Sequence, residues 1–310
     1  MFMGTPEIAA ISLKRLIDDG HDVCAAVTRE DKPRGRGNVM TPTPVKTLAL
    51  ENGIPVYTPA TLRDGAFSEI LDQHKPEVIA VVAYGKILPE SVLSYPKYGC
   101  VNLHVSLLPK YRGAAPMQRA IMEGERETGV TVMYMDVGLD TGDIIATERF
   151  PITDEDDFES IHDRSAEIGG ALLSRTLFDI SEGRADRTPQ DGDKATYAAK
   201  IEKEDCKVDF SLDARTVSAR IRGVTPIPGA FAYLGGKMIK ITKVSIASED
   251  GCGEPAGTVI SLDSSLDGRI TVACRNGAVN ILKLKPEGKG AMTAGDFIRG
   301  RKIQIGDVFE

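Results

Sequence analysis

The chain has 310 residues, 42% hydrophobic and 27% charged, a composition ordinary for a soluble globular protein and a length that favours two domains over one. A net charge of −7, taken alone, argues against a nucleic-acid partner, and no apolar run or basic-then-apolar leader suggests a membrane span or a secretory signal. Five scattered cysteines (Cys24, Cys100, Cys206, Cys252, Cys274) and four scattered histidines form no CxxC or HExxH. That argues for free thiols in a reducing cytoplasm rather than a disulfide framework or zinc site.

Met1–Met3 is a short apolar start, and Gly4-Thr5-Pro6 leads into a helix whose apolar stripe includes Ile8, Leu13, Leu16 and Ile17 before Gly20. Residues 22–28 read as a buried strand, 29–43 as a loop rich in Pro, Gly and basic residues, 45–52 as a helix and 54–57 as a short strand. A helix follows at 66–74, then the near-continuous apolar strand EVIAVVA at 77–83, of the kind parallel sheets bury on both faces. Residues 100–104 are the next strand, 116–123 a helix, 129–135 and 143–150 a strand pair, and 157–183 a long amphipathic helix. This alternation predicts an α/β fold with a doubly wound, mostly parallel sheet over residues 1–183.

Residues 184–207 are polar with few periodic apolar positions and read as a linker. After a short helix at 214–222 the pattern changes to short strands at 230–234, 238–245, 257–262, 269–274 and 279–284, with Gly235-Gly236 and Asn276-Gly277 as hairpin turns and a closing helix at 293–300. Five such strands over 208–310 suggest a small OB-like barrel. Charge divides near the same place: of 38 Lys+Arg and 45 Asp+Glu, 15 and 11 fall from Cys206 onward, a net of +4 there and −11 before it. A polyanion-facing module and an ordinary imbalance of surface charge both fit that division.

Four constellations could carry chemistry. Asn102 and His104 share one face of the strand at 100–104, and Val101 and Leu103 share the other. A buried amide and imidazole each need a partner, and Pro109 places the pair near the strand's carboxyl end, where open α/β sheets bind ligands. A satisfied core histidine is the competing reading. Asp136, Asp140 and Asp143 lie with two glycines between two strands. Turn chemistry explains them equally, while the calcium spacing of an EF-hand is absent. An acid reaching His104 would orient it. The loop REDKPRGRG (29–37) can order on phosphates or remain a solvated loop. Gly4-Thr5-Pro6 sits where a dinucleotide fingerprint would be, but GxGxxG is missing, which disfavours a nicotinamide dehydrogenase.

The stretch from Asn102 through Pro109, continued as KYRGAAPMQRAI, resembles the folate-dependent formyltransferase family, as does GVTVMYMDVGLDTGDII (129–145) at the expected distance. MGTPE (3–7), DKPRGRG (31–37), PTPVK (42–46), VVAYGKILP (81–89), TPIPGAF (225–231) and PEGKGAM (286–292) extend the resemblance over essentially the whole chain. It implies a Rossmann-like catalytic domain at 1–183, the linker at 184–207 and an OB-like tRNA-binding domain at 208–310. The implied reaction moves a formyl group from 10-formyltetrahydrofolate to the methionine amine of charged initiator tRNA, without a metal. Asn102, His104 and Asp140 match the family's catalytic trio. Ser106, Leu107, Leu108, Pro109, Val82, Tyr84, Gly85 and Ile87 would form the folate pocket, and Lys32, Arg34 and Arg36 would contact tRNA. A cytoplasmic monomer with no obligate protein partner is expected. Two departures stand out. Family members usually carry a few more residues ahead of this start, so the first strand should be short. Ile8 stands where an aromatic is common, so packing in the methionine pocket should differ. The alternatives are a formyltransferase for a small amine, such as glycinamide ribonucleotide or an amino-sugar nucleotide, and a silent folate- or RNA-binding protein. The intact trio argues against the last.

Overall fold

The structure, a computed structural model, describes residues 1–34, 37–300 and 302–310. The chain forms two compact units, one of Met1–Gly113, Gly129–Phe150 and His162–Tyr197, the other of Ala114–Thr128, Pro151–Ile161 and Ala198–Glu310.

The first unit opens with β1 (Phe2–Gly4), α1 (Glu7–Asp18) and β2 (Ala26–Val27). A Cβ on Gly4 would stand 2.6 Å from the Ala9 Cβ, so glycine lets α1 turn directly off the strand. The strand expected at 22–28 shrinks to two residues because its ladder partner β1 offers only Phe2 and Met3 to Ala26 and Val27. The expected loop at 29–43 contains a small antiparallel pair, β3 (Lys32–Arg34) and β4 (Val39–Thr41). Next come α2 (Pro44–Glu51), capped by Thr43 Oγ1 on the Lys46 amide at 3.1 Å, and β5 (Val56–Tyr57). In α3 (Gly65–His74), Asp64 caps the Phe67 amide and Lys75 closes the helix at φ 42°. Then follow β6 (Ile79–Val82), α4 (Glu90–Leu93), β7 (Cys100–His104) and β8 (Arg112–Gly113). After α5 (Pro116–Met122), which belongs to the second unit, come β9 (Glu127–Tyr134), β10 (Ile144–Pro151), α6 (Phe158–Ser181) and β11 (Tyr197–Ala198).

Seven of these strands make a sheet in the order β10-β9-β7-β6-β1-β2-β5, while β3-β4 and β8-β11 form two small pairs. The five from β7 to β5 are parallel and β9 runs antiparallel to β7, so the sheet is mixed. One side of it packs a core of Met3, Val27, Phe67, Leu71, Ile79, Val81 and Leu88. Removing such side chains from water drives this unit's folding at roughly 25 cal/mol per Å² of apolar area.

The second unit holds α7 (Ala214–Gly223) and β12 (Ala230–Leu234), β13 (Lys237–Ser248), β14 (Val259–Asp263), β15 (Arg269–Ala273), β16 (Ala278–Pro286) and β17 (Met292–Thr293), closed by α8 (Ala294–Arg299). The turns expected at Gly235-Gly236 and Gly277 are present, with φ of 55°, 74° and 81°. Among the described residues the sheet runs β12-β13-β16-β15-β14 with β17 on β16, and its pairings do not close into the expected barrel. The reason lies in the last five residues. Glu310 exchanges two backbone hydrogen bonds of 2.8 Å with Tyr233, while the Phe309 amide donates to Gly257 O at 2.9 Å and the Val259 amide to Asp307 O at 2.8 Å. The tail thus occupies both sheet edges, which would otherwise expose unpaired backbone groups. No helix among the described residues is long and apolar enough to cross a membrane.

Candidate active site

The parallel strands β1, β2, β6 and β7 end together at Gly4, Val27, Val82 and His104. Strand order reverses between β1 and β6, the place where doubly wound sheets open a crevice for ligands. Thr5 Oγ1 donates to Tyr84 O across that point at 3.2 Å. On β7, Asn102 pairs with Val81 on one side and Met133 on the other, and His104 lies opposite Thr131. Leu103 points away against α6, where Gly169 leaves room: a Cβ there would fall 2.8 Å from Leu103 Cδ2.

His104 is 6% exposed, and its Nε2 lies 2.9 Å from Tyr111 O. A carbonyl only accepts, so Nε2 carries a proton and donates it there. The other nitrogen, Nδ1, is 3.6 Å from Asp140 Oδ2, and that same oxygen accepts the Gly113 amide at 2.8 Å. A neutral His104 would turn a lone pair at Nδ1 towards this carboxylate. A proton on Nδ1, or a donor group between the two, satisfies both. Asn102 is half-buried, and among the described residues no hydrogen bond engages its side-chain amide.

The structure separates the three acids of residues 136–143. Asp136 Oδ1 accepts from the Gly138 amide at 2.9 Å and Thr141 Oγ1 at 2.6 Å, so it shapes the loop. Asp143 pairs with Arg187 at 3.2 Å. Asp140 alone turns to His104, from a left-handed backbone at φ 54°. Among the described residues no cluster of three or more His, Cys, Asp and Glu is placed to hold a metal ion.

Of the residues assigned to a folate pocket, Ser106 is fully buried and donates to Lys110 O at 2.7 Å. Thr131 Oγ1 donates to Ser106 O at 2.7 Å and accepts from the Leu108 amide at 3.3 Å. Leu108 is buried, Leu107 and Pro109 are half-buried, and the Leu108–Pro109 peptide is cis. Val82 and Tyr84 are buried too, and burial pushes the Tyr84 hydroxyl up to about 12 against the opposing charge of Arg29. Gly85, at φ 78°, and Ile87, 81% exposed, face solvent. Of these residues, backbone groups, the half-buried Leu107 and Pro109 and the exposed Ile87 are therefore what reaches solvent.

The basic loop is tethered at its base. Arg29 Nη2 donates to Gly85 O, Lys46 pairs with Asp31 at 2.8 Å, and the Thr28 and Thr43 hydroxyls meet at 2.8 Å. Lys32 is exposed on β3, and Arg34 ends that strand. Arg36 lies outside the described residues.

Several residues that shape the site carry no signal in the sequence. Gln190 and Thr196 sit in the stretch read as a linker. Gln190 Nε2 donates to Asp140 O at 2.9 Å and Gly142 O at 2.7 Å, while its Oε1 accepts from Arg112 Nε at 3.1 Å and Nη2 at 2.7 Å. Thr196 Oγ1 accepts the Tyr111 amide at 2.8 Å.

Residues 1–177 match the family described as formyl transferase, and residues 200–302 match the formyl transferase C-terminal domain. Two relatives named methionyl-tRNA formyltransferase cover the chain almost entirely. That of Pelotomaculum thermopropionicum is 45% identical across 99% of this chain and 97% of its own length, and that of Geotalea daltonii is 46% identical across 99% and 96%. Among solved structures, an N-formyltransferase from Helicobacter canadensis superposes with a TM-score of 0.66 over 91% of this chain and 97% of its own, at 19% identity. A sugar 3N-formyl transferase, WlaRD, gives the same score over 93% and 97%. At such identities the solved structures speak for the fold alone, whereas the sequence matches span both units. The chain belongs to the formyltransferase family.

Proposed function

We propose that the chain transfers the formyl group of 10-formyltetrahydrofolate to the methionine amine of charged initiator tRNA, giving N-formylmethionyl-tRNA for translation initiation. The observation that carries this reading is near-complete coverage, at 45–46% identity, by relatives named methionyl-tRNA formyltransferase. The strand-end trio supplies a chemistry that fits it. The neutral amine attacks the formyl carbon, and the carbonyl oxygen becomes an oxyanion. Asn102 can donate to that oxygen from its uncommitted amide, and His104 from Nδ1 when protonated. Asp140 orients His104 and accepts the amine proton, directly or through water. Collapse breaks the bond from carbon to N10 of the folate, and the proton ends on N10. Ser106–Pro109 and Val82–Ile87 would form the folate pocket by loop shape and backbone groups.

Lys32, Arg34 and Arg36 would approach the acceptor-stem region. Residues 208–310, read as an OB-like domain beyond the 184–207 connection, would hold the tRNA backbone electrostatically. A cytoplasmic monomer needing no protein partner completes the proposal; a concentration-dependent mass in solution would overturn the monomer. The deciding experiment supplies 10-formyltetrahydrofolate with charged initiator tRNA, glycinamide ribonucleotide or an amino-sugar nucleotide. Formylation of the tRNA is expected. Rapid formylation of a small amine with none of the tRNA would sink the reading.

A further inference from the structure

The segment from Thr188 to Thr196 contributes no group to the trio, yet it touches both backbone loops that shape it. One loop, 111–113, presents Tyr111 O to His104 and the Gly113 amide to Asp140. The other carries Asp140 itself. Gln190 lies between them with all four hydrogen-bonding positions of its amide used: two donors on Asp140 O and Gly142 O, two acceptor positions on Arg112. Carbonyls demand a donor and a guanidinium demands an acceptor, so the amide can face only one way. Thr196 repeats the arrangement, its Oγ1 accepting the Tyr111 amide at 2.8 Å and its carbonyl the Arg112 amide at 2.9 Å.

We propose that Gln190, assisted by Thr196, is a positioning residue of the formyl-transfer reaction: it fixes the Asp140 loop against the 111–113 loop and so sets the separation of the Asp140 carboxylate from His104 Nδ1. This rests on the formyl-transfer reading of the trio. Asp140 needs such support because its backbone is held at φ 54°, a conformation that L side chains adopt only when surroundings impose it. Of the ordinary side chains, only a glutamine at this reach offers donors to two carbonyls and acceptors to a guanidinium together. Glutamate would turn a carboxylate oxygen on the carbonyls, and methionine would leave both sets unpaired.

The role is separable from folding. Thr188 and Ile144 exchange two backbone hydrogen bonds of 2.8 and 2.9 Å, which hold the segment to β10 whatever side chain stands at 190. The test uses Gln190→Met and Gln190→Glu in the full chain, each alone and combined with Asp140→Asn. The readouts are kcat, both KM values, the pH–rate profile and the thermal midpoint. Expected is a fall in kcat of about 10²-fold for a displaced catalytic group. KM for folate and for tRNA should stay within about threefold, since binding contacts are untouched. The pH–rate profile should change shape, and no further loss should appear in the Asp140→Asn background. Full turnover per folded molecule, or the same penalty with and without the Asp140 carboxylate, overturns the proposal. Unimpaired turnover by Asp140→Asn alone is a different result: it overturns the trio, and the positioning role with it. Should the Gln190 variants fold poorly, Thr196 decides. Thr196→Val, which loses the acceptor, is expected to turn over more slowly than Thr196→Ser, which keeps it; equal turnover refutes the role.

Discussion

His104 can act through one atom only. Its Nε2–H is committed to Tyr111 O, so under the proposed mechanism proton exchange and oxyanion contact both fall to Nδ1, the nitrogen facing Asp140. Replacing His104 with Ala removes that atom, and Asp140→Asn removes the acceptor. Each is expected to lower kcat by about 10²–10⁴-fold, the usual worth of positioned acid–base groups. Loss of the Asn102 donor in Asn102→Ala should cost about 10²–10³-fold. Single-turnover formylation with folate affinity measured in parallel checks all three, and unchanged turnover would make the trio structural. A second histidine has a different task. His21 Nε2 lies 3.0 Å from Ser174 Oγ, which itself donates to Asp19 at 2.6 Å, so His21 Nε2 is the donor. Burial lowers its proton affinity, with the Asp19 charge opposing. The unfolded chain therefore binds this proton at a higher pH than the folded one. Its contribution is complete above the unfolded histidine value and is lost as pH falls towards the lower folded value. Denaturant midpoints from pH 7.5 down to about 5 should fall more steeply for the wild type than for His21→Gln. Parallel slopes would rule the effect out.

The loop from Asp136 to Asp143 shows how a short element can be fixed by glycine where no turn type names it. A Cβ on Gly142 would fall 1.8 Å from Tyr134 O, a backbone atom that cannot step aside. Gly142→Ala should therefore push the Asp140 loop outward and lower kcat by about 10²-fold, while folate still binds. Wild-type kcat in this variant would mean the loop tolerates the shift and does not set the geometry. The same element marks what the sequence could convey. Strand β7 was legible to the residue because a polar pair in an apolar strand is a local anomaly, and local anomalies survive in one dimension. Asp140 was legible only through a run of motifs, since acids and glycines are also what turns need. Gln190 was not legible at all. One polar residue in the aperiodic stretch 184–207 becomes significant only when folding sets it between Asp140 and Arg112. The tail beyond Gly306 failed for a related reason: strand counting suggests a closed barrel, but Phe309, only 3% exposed, reveals that the last residues cover the edges instead.

At the scale of the molecule, the net charge of −7 hides a basic C-terminal part, which includes a group of neighbouring lysines. Lys237, Lys289 and Lys302 are exposed, and Lys302 has its proton affinity lowered by contact with Lys289 and by the charges of Lys289 and Lys237. Ammonium groups held this close repel one another, and an anion bound among them relieves that repulsion. If the cluster takes tRNA phosphates, Lys289→Ala with Lys302→Ala should raise KM for charged tRNA and reduce the salt dependence of tRNA use by a slope of about 2, one unit for each lost phosphate contact. Folate affinity should stay unchanged, because the proposed folate pocket includes no residue of this cluster. Thermal stability should change little, since the repulsion lost among the lysines is offset by their lost attraction to a chain of net charge −7. Lys32→Ala and Arg36→Ala belong in the same assay, as the corresponding test of the basic loop at 29–37. An undiminished salt slope in the double variant, or equal losses for tRNA and folate, would remove the cluster from the tRNA path.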